Sequence, residues 1–288
     1  MRKQRIDRTV ALASIVVLVL AGACSSDADE ADDTSSSPPT SAPSAASAAT
    51  TSPRPAGDDC PTAGAEWEVA KVYIEHNATD GDTGFHGFFG GEPWRTLCVV
   101  DPDGNPIWDV RPDGRLADLG VSDLFFESNE PPNDEYPPDD LRADFPEGTY
   151  VVAGIDVDGV ARLGEATFTH AIPGAPAVLE PTLADEDEVD AAAPVPPTGL
   201  VVRWEPVTST IDSDPVTITG YEVIVTDEEV DDPDGFARPL VDVHVRPDVT
   251  ELVVPDGFLE PDHLYELEVL SIEESGNQTI TVGFFQTR

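Results

Sequence analysis

Apolar and polar residues alternate with a period of two in three stretches near the end of the chain, at positions 241–246, 265–269 and 279–284. A β-strand points successive side chains to opposite faces, so each stretch predicts a strand with one face on a core and one in water. In the last stretch we expect the apolar set, Ile280, Val282 and Phe284, to face the core. Regular strands separated by turns predict an antiparallel β-sandwich whose core spans residues 197–288.

Shorter apolar runs separated by turn residues predict a second β-sandwich earlier in the chain. Glycine supplies the positive φ of a tight hairpin turn, and Asp158-Gly159 lies between two of these runs. A proline at a first helical position favours one short helix over 138–144. The strands are expected at 67–74, 95–100, 106–110, 150–157 and 160–169.

The sequence therefore predicts an all-β protein with two antiparallel β-sandwich domains, over residues 60–174 and 175–288. Part of the stretch before the second core, 178–183, is a candidate first strand of that domain. Residues 24–59 consist mainly of Ser, Thr, Ala, Pro and Asp and contain no aromatic residue. Such a segment cannot bury enough apolar surface to fold, so we expect a disordered tether.

The first 23 residues have the pattern of a secretory signal peptide, with a basic head, a short apolar run and small residues. Leu20-Ala21-Gly22-Ala23-Cys24 resembles the lipobox of bacterial lipoproteins, although Ala21 stands where that family prefers a larger aliphatic residue. The resemblance implies cleavage before Cys24, lipidation of its thiol and a membrane-anchored, extracytoplasmic location in the cell envelope. The alternative is an uncleaved anchor helix.

The cysteine count supports the same compartment. If Cys24 carries a lipid, Cys60 and Cys98 remain as an even pair outside the cytoplasm, and we expect them to form a disulfide. The alternative is two unpaired thiols.

The chain is strongly acidic, with a formal net charge of -42. Such a surface repels nucleic acid and attracts cations and basic partners, so no nucleic-acid partner is expected. A general adaptation for solubility or salt tolerance explains the same charge.

Residues of the last segment also resemble the fibronectin type III family. Trp204 matches the core tryptophan of that family, and Tyr265 matches its tyrosine-corner residue. The resemblance implies a fold and no particular ligand. The motifs that carry it are Leu200-x-Val202-x-Trp204-x-Pro206, Gly220-Tyr221-Glu222-Val223, Leu259-x-Pro261-x-x-x-Tyr265-x-Leu267-x-Val269 and Phe284-x-x-Thr287.

The N-terminal segment resembles a domain that accompanies type III domains in bacterial envelope proteins. The residues that carry this second resemblance lie at 75–80, 124–127 and 145–148. It implies no activity.

Two groups of residues are candidate ligand sites. Asn77, Asp80 and Asp82 lie in a glycine-bearing loop whose oxygens suit calcium, and the alternative is an Asx turn between two strands. An aromatic cluster could bind a sugar or peptide if exposed, and otherwise belongs to the core. The cluster comprises Phe85, Phe88, Phe89 and Trp94.

No catalytic motif is present, and the five histidines have no metal-ligand spacing, so we expect most of them at the surface or at strand ends. The expected function is non-enzymatic binding or presentation at the outer face of the membrane, through the lipid on Cys24 and toward a protein or carbohydrate ligand. No cofactor is expected other than the calcium above. The alternatives are a hydrolase of envelope polymer, with the first domain catalytic, and a structural spacer.

Overall fold

The computed structural model describes residues 60–230 and 238–288, and β-strands dominate both ranges. The chain is all-β, as predicted, with short helices only. The expected signal peptide, the tether and Cys24 lie outside the described residues. Among the residues that are described, none of the helices has the length and apolar character needed to cross a membrane.

The N-terminal segment forms one sandwich around an aromatic core. The sheet β1-β8-β7-β4-β5 packs against strands β2, β3 and β6, and helix α2 closes one side through buried Leu141. Trp94, Tyr150 and Phe168 are among the fully buried side chains. The elements are β1 Ala65–Glu66, β2 Val69–Asn77, β3 Asp82–Gly90, β4 Trp94–Val100, β5 Pro106–Val110, α1 Gly114–Leu119, β6 Leu124–Glu127, α2 Pro138–Asp144, β7 Gly148–Asp156 and β8 Ala161–Phe168.

The C-terminal segment forms a second sandwich with its own core. A three-stranded sheet, β13-β10-β9, faces the four strands β12-β11-β14-β15. This agrees with the sandwich that the type III resemblance implies. The strands are β9 Val178–Glu180, β10 Val201–Trp204, β11 Ile218–Asp227, β12 Leu240–Val245, β13 Glu251–Val253, β14 Leu264–Glu273 and β15 Gln278–Gln286.

One sheet continues through both segments. Strand β15 pairs in parallel with β2, and the pairing matches Gln278 with Glu75 and Ile280 with Asn77. The resulting sheet has seven strands in the order β12-β11-β14-β15-β2-β3-β6. All described residues consequently belong to one compact unit, although the two hydrophobic cores are separate.

Asn277 holds the point where the two segments meet. Its side chain is fully buried, and its Oδ1 accepts a hydrogen bond of 2.7 Å from the backbone N–H of Ile74. Its Nδ2 donates to the backbone carbonyls of Thr169 and Ala171, at 2.9 and 3.2 Å. One amide therefore ties β2, the start of β15 and the chain after β8 together.

Strand β15 presents the opposite face to the core from the one we expected. Phe285 packs in the C-terminal core, whereas Ile280 lies on the other face of the sheet, where it is also buried. Thr279 and Thr281 turn inward because their hydroxyls have partners there. They donate to the backbone carbonyls of Pro173 and Pro176, at 2.6 and 2.8 Å.

The two type III core residues lie where the resemblance implies. Trp204 is 2% exposed, and its ring lies 5.5 Å from that of Tyr221. The hydroxyl of Tyr265 accepts a 2.7 Å hydrogen bond from the backbone N–H of Glu260, five residues upstream. This is the bond of a tyrosine corner.

Replacing Trp204 should test how much the C-terminal core contributes to stability. We expect Trp204→Ala to lower the free energy of unfolding by about 3–5 kcal/mol, because a large side chain is lost from a packed core. Val253→Ala is the control, since Val253 is 61% exposed, and should change the value by less than about 0.5 kcal/mol. Denaturant unfolding measures both variants. Equal unfolding midpoints for wild type and Trp204→Ala would contradict the assignment of Trp204 to the core.

The structure joins Cys60 and Cys98 by a disulfide, with Cα atoms 5.9 Å apart. Cys98 is 4% exposed in β4, and Cys60 is the first described residue. The bond closes a loop of 38 sequence positions. It fastens the beginning of the folded body to an interior strand of the five-stranded sheet.

Removing the disulfide should destabilise the N-terminal segment. Chain-entropy arithmetic for a loop of this length gives about 3–4 kcal/mol, because the bond restricts the unfolded chain. The double variant Cys60→Ser/Cys98→Ser should therefore melt at a lower temperature than the oxidised wild type. Reductant should lower the melting temperature of wild type and leave the variant unchanged. Alkylation of both thiols in the native protein without reductant would contradict the bond.

Candidate functional site

A cluster of acidic residues and one histidine lies on the face of the seven-stranded sheet that points away from the cores. On β2, Val72 and Ile74 point into the N-terminal core, so Glu75 points outward. On β3 the inward residue is Phe85, which places His86 on the same outer face. Glu130, in the loop after β6, completes the cluster.

His86 has one carboxylate near each of its two ring nitrogens. Nε2 of His86 lies 2.8 Å from Oε1 of Glu130, and Nδ1 of His86 lies 3.8 Å from Oε2 of Glu75. One ligand atom from each residue can be chosen so that all lie within 4.8 Å of one another. His86 is 1% exposed and Glu75 5%. Nδ1 of His86 is buried and has no hydrogen-bond partner among the described residues.

A glycine makes room for the third member. Gly84 pairs with Glu75 across the β2–β3 ladder, on the same face. A Cβ atom at Gly84 would collide with Oε1 of Glu130. The absence of a side chain at this position lets the carboxylate of Glu130 reach His86.

The surroundings of the cluster fix the imidazole and one carboxylate. The ring of Tyr73 lies 5.3 Å from that of His86, and the ring of Phe125 lies 6.0 Å away on another side. The side-chain amide of Gln278, at the start of β15, donates a short hydrogen bond to Oε2 of Glu75. The cluster therefore lies against the junction between the two segments.

Burial dominates the electrostatics of the cluster. It raises the pKa of Glu75 to about 7, partly opposed by His86, and it raises the pKa of Glu130 to about 7. Burial also lowers the pKa of His86, against the attraction of Glu75. In residues 60–230 and 238–288, no lysine or arginine forms an ion pair with either carboxylate. The cluster thus favours a neutral imidazole and at least one shared proton near neutral pH.

A second acid–histidine cluster lies on the same face, on β11 and β12. Nε2 of His244 lies 3.2 Å from Oε1 of Glu222, and Asp242 is the third member. Burial and Glu222 raise the pKa of Asp242 to about 6. The His244 side chain is 59% exposed, so this cluster is open to solvent.

The residues predicted for calcium close a turn instead. Oδ1 of Asn77 accepts hydrogen bonds of 3.0 Å from the backbone N–H groups of Thr79 and Asp80. Nδ2 of Asn77 donates to the carboxylate of Asp80 at 2.9 Å. Oδ1 of Asn77 therefore closes the turn, while Asp82 pairs with Asn77 at the other end of the loop. The geometry is that of an Asx turn.

The predicted aromatic binding patch is wrong. Phe85, Phe89 and Trp94 are 0–3% exposed and belong to the N-terminal core, and only Phe88 is partly exposed. The physical reason is alternation in β3, which sends Phe85 and Phe89 inward together.

The same alternation places His86 on the outer face, where it is buried rather than at the surface as expected. We missed His86 because glycines interrupt the pattern of this strand. The period of two between Phe85, Gly87 and Phe89 is the signal that could have found it.

Comparisons with known proteins give likenesses in structure only. No family model matches the chain, and no curated protein matches it. A two-domain fibronectin type III segment of chicken tenascin is 11% identical, covers 76% of this chain and 99% of its own, and has a TM-score of 0.28. The FN1–FN3 domains of chicken CNTN1 are 13% identical over 78% of this chain and 66% of theirs, with a TM-score of 0.28.

A third likeness covers a shorter part of the chain. The third fibronectin III domain of human KIAA0343 is 18% identical over 41% of this chain and 84% of its own, with a TM-score of 0.27. At these scores the matches carry no inference about the site or its function.

The buried carboxylates of Glu75 and Glu130 contribute stability at acid pH. The folded-state pKa values of Glu75 and Glu130, about 7, lie above their ordinary 4.5. Their folded forms therefore bind more protons than their unfolded forms, and stability is lost as the pH rises from about 4.5 to about 7. These two carboxylates favour a higher melting temperature at pH 5 than at pH 8, and the lowered pKa values of half-buried His76 and buried His86 act in the opposite direction.

A matched pair of variants isolates the contribution of Glu75. Glu75→Gln keeps the shape of the side chain and removes its titration. It should therefore reduce the difference in the free energy of unfolding between pH 5 and pH 8 by about 1–3 kcal/mol. Glu165→Gln, at an exposed position of β8, should leave the difference unchanged. Thermal unfolding followed by calorimetry measures both. Equal pH dependence in wild type and Glu75→Gln would contradict the burial of a titrating Glu75.

Proposed function

We propose that this chain is a lipid-anchored protein of the bacterial cell envelope that binds or presents a ligand at the outer face of the membrane without catalysing a reaction. One observation carries the proposal: the disulfide between Cys60 and Cys98 lies where the expected tether meets the folded body. Disulfides persist in extracytoplasmic compartments, which is the location that the sequence around Cys24 implies.

The position of the disulfide suits a body held by a tether. Cys98 lies in β4, which pairs with β5 on one side and β7 on the other. A pull on the tether would reach this interior strand through a covalent bond. Without the bond it would act on β1, which pairs with β8 at two positions only. The load then falls on the five-stranded sheet and on the N-terminal core against which it packs.

The cluster of Glu75, His86 and Glu130 is poorly placed for turnover. A catalytic carboxylate must come within hydrogen-bond reach of its substrate. Glu75 and His86 are closed in by Tyr73, Phe125 and Gln278. An open pocket of the N-terminal segment lies elsewhere and is lined by Glu66, Trp67, Glu68, Glu92 and Arg162.

A hydrolase of envelope polymer is the second candidate, and one observation favours it. Glu75 and Glu130 have raised pKa values beside a histidine, as general acids often do. A turnover assay on isolated envelope polymer separates the two functions. Hydrolysis that is abolished by Glu130→Gln would support the enzyme, whereas retention of an envelope component without turnover supports binding. A structural spacer would show neither.

The anchoring part of the proposal is tested at Cys24. Cys24→Ala should lose incorporation of a fatty-acid probe and should be released into the medium. The reason is that each buried CH₂ of an acyl chain contributes about 0.8 kcal/mol to membrane binding. Metabolic labelling and fractionation measure both effects. Cys60→Ser/Cys98→Ser is the control, because it retains Cys24 and should keep its label. Label that persists in Cys24→Ala would rule out this anchor.

A further inference from the structure

We infer that Glu75 and His86 form a binding site for a divalent transition-metal ion of the zinc class, with Glu130 orienting the imidazole. The site goes beyond the proposed function, since it requires neither the lipid nor the tether. It is built from strands β2 and β3 and from the loop after β6.

The unpartnered nitrogen of His86 is the first argument. Nδ1 is buried and accepts no hydrogen bond from the part of the chain that the structure describes, although it lies 3.8 Å from Oε2 of Glu75. Nε2 lies 2.8 Å from Glu130, and a carboxylate there accepts the Nε2 proton. That tautomer leaves the lone pair of a neutral imidazole on Nδ1, the ring nitrogen that lies 3.8 Å from Oε2 of Glu75. A carboxylate on the far nitrogen is the usual way in which proteins orient a metal-binding histidine.

The spacing between the two ligand atoms is the second argument. The 3.8 Å between Nδ1 of His86 and Oε2 of Glu75 is too long for a hydrogen bond. It accommodates an ion at about 2.0–2.2 Å from each atom, with a nitrogen–ion–oxygen angle of about 130°. The second oxygen of Glu75 and water can supply the remaining positions.

The charge around the site is the third argument. Glu127 adds a third carboxylate to those of Glu75 and Glu130, because it pairs with His86 across the β3–β6 ladder. Asp82 also lies close enough for Glu130 to raise its pKa. Several carboxylates near a neutral imidazole require a compensating cation if they are ionised together. An ion between Nδ1 and Glu75 supplies that charge.

The contacts outside the ligands match those of a metal centre. Gln278 donates to the same oxygen of Glu75 that would bind the ion, which fixes the carboxylate. Tyr73 and Phe125 pack around the imidazole and limit its rotation. Because Gln278 belongs to β15, the ion would also strengthen the junction between the two segments.

Zinc titration of the full-length protein tests the inference. Millimolar Ca²⁺ is kept in all samples, because it occupies exposed carboxylate clusters but competes poorly for a nitrogen ligand. We expect one Zn²⁺ per chain by calorimetry at pH 7.5, weaker binding at pH 5.5, where protons compete, and a rise in melting temperature.

Variants assign the binding to these residues. Glu75→Gln should weaken Zn²⁺ binding by at least about tenfold, and Glu130→Gln should weaken it by about tenfold with one ion per chain retained. His244→Asn is the control from the second acid–histidine cluster and should bind as wild type does. Equal affinity in wild type and Glu75→Gln, or loss of binding in His244→Asn, would overturn the assignment.

A direct measurement covers the case in which Glu75→Gln does not fold. Crystals of wild type grown with Zn²⁺ should show anomalous density between Nδ1 of His86 and Glu75. Density elsewhere, or no saturable binding in the presence of Ca²⁺, would also overturn the proposal.

Discussion

A single buried amide, that of Asn277, determines how the two sandwiches meet. Its oxygen accepts the backbone N–H of Ile74, and its nitrogen donates to the chain that leaves the N-terminal sandwich at Thr169 and Ala171. Its own backbone N–H donates to Glu273. A shorter or apolar side chain would leave buried backbone groups without partners, at about 1–3 kcal/mol each. The amide thus holds β2 beside β15 and allows one sheet to run through both segments.

The parallel pairing of β15 with β2 explains why the outer face of the sheet is both polar and buried. It brings the side-chain amide of Gln278 to Glu75 on that face. Burial is the largest cause of the raised pKa of Tyr73 on β2, and Glu75 is the next. Glu222 of β11 also lies close enough to raise it. Ionised groups in such a place are costly unless they are paired, so protons or cations must share the face with them.

The sequence predicted the positions of the strands better than it predicted which strands pair with one another. Alternation and turn residues gave positions close to those of β4, β5, β7 and β8, and the bounds of α2 were correct. Strand β3 was missed because three glycines in its nine residues look like a loop, although one of them, Gly84, is required by Glu130. The contact of Glu75 with Gln278 joins residues 203 positions apart. Such a pairing depends on tertiary packing and leaves no local pattern.

Charge alone does not explain why a cation would bind at the His86 cluster in preference to the rest of the acidic surface. A net charge of -42 attracts cations to the whole surface, and mobile salt screens that attraction within about 10 Å. The exposed Asx turn at Asn77 has the oxygen ligands that hard ions prefer. The side-chain oxygen of Asn77, however, already accepts two backbone hydrogen bonds within the turn. His86 differs because it offers a buried nitrogen whose tautomer is set by Glu130. Selectivity for a borderline metal over calcium therefore comes from this one imidazole, and the surrounding carboxylates contribute affinity.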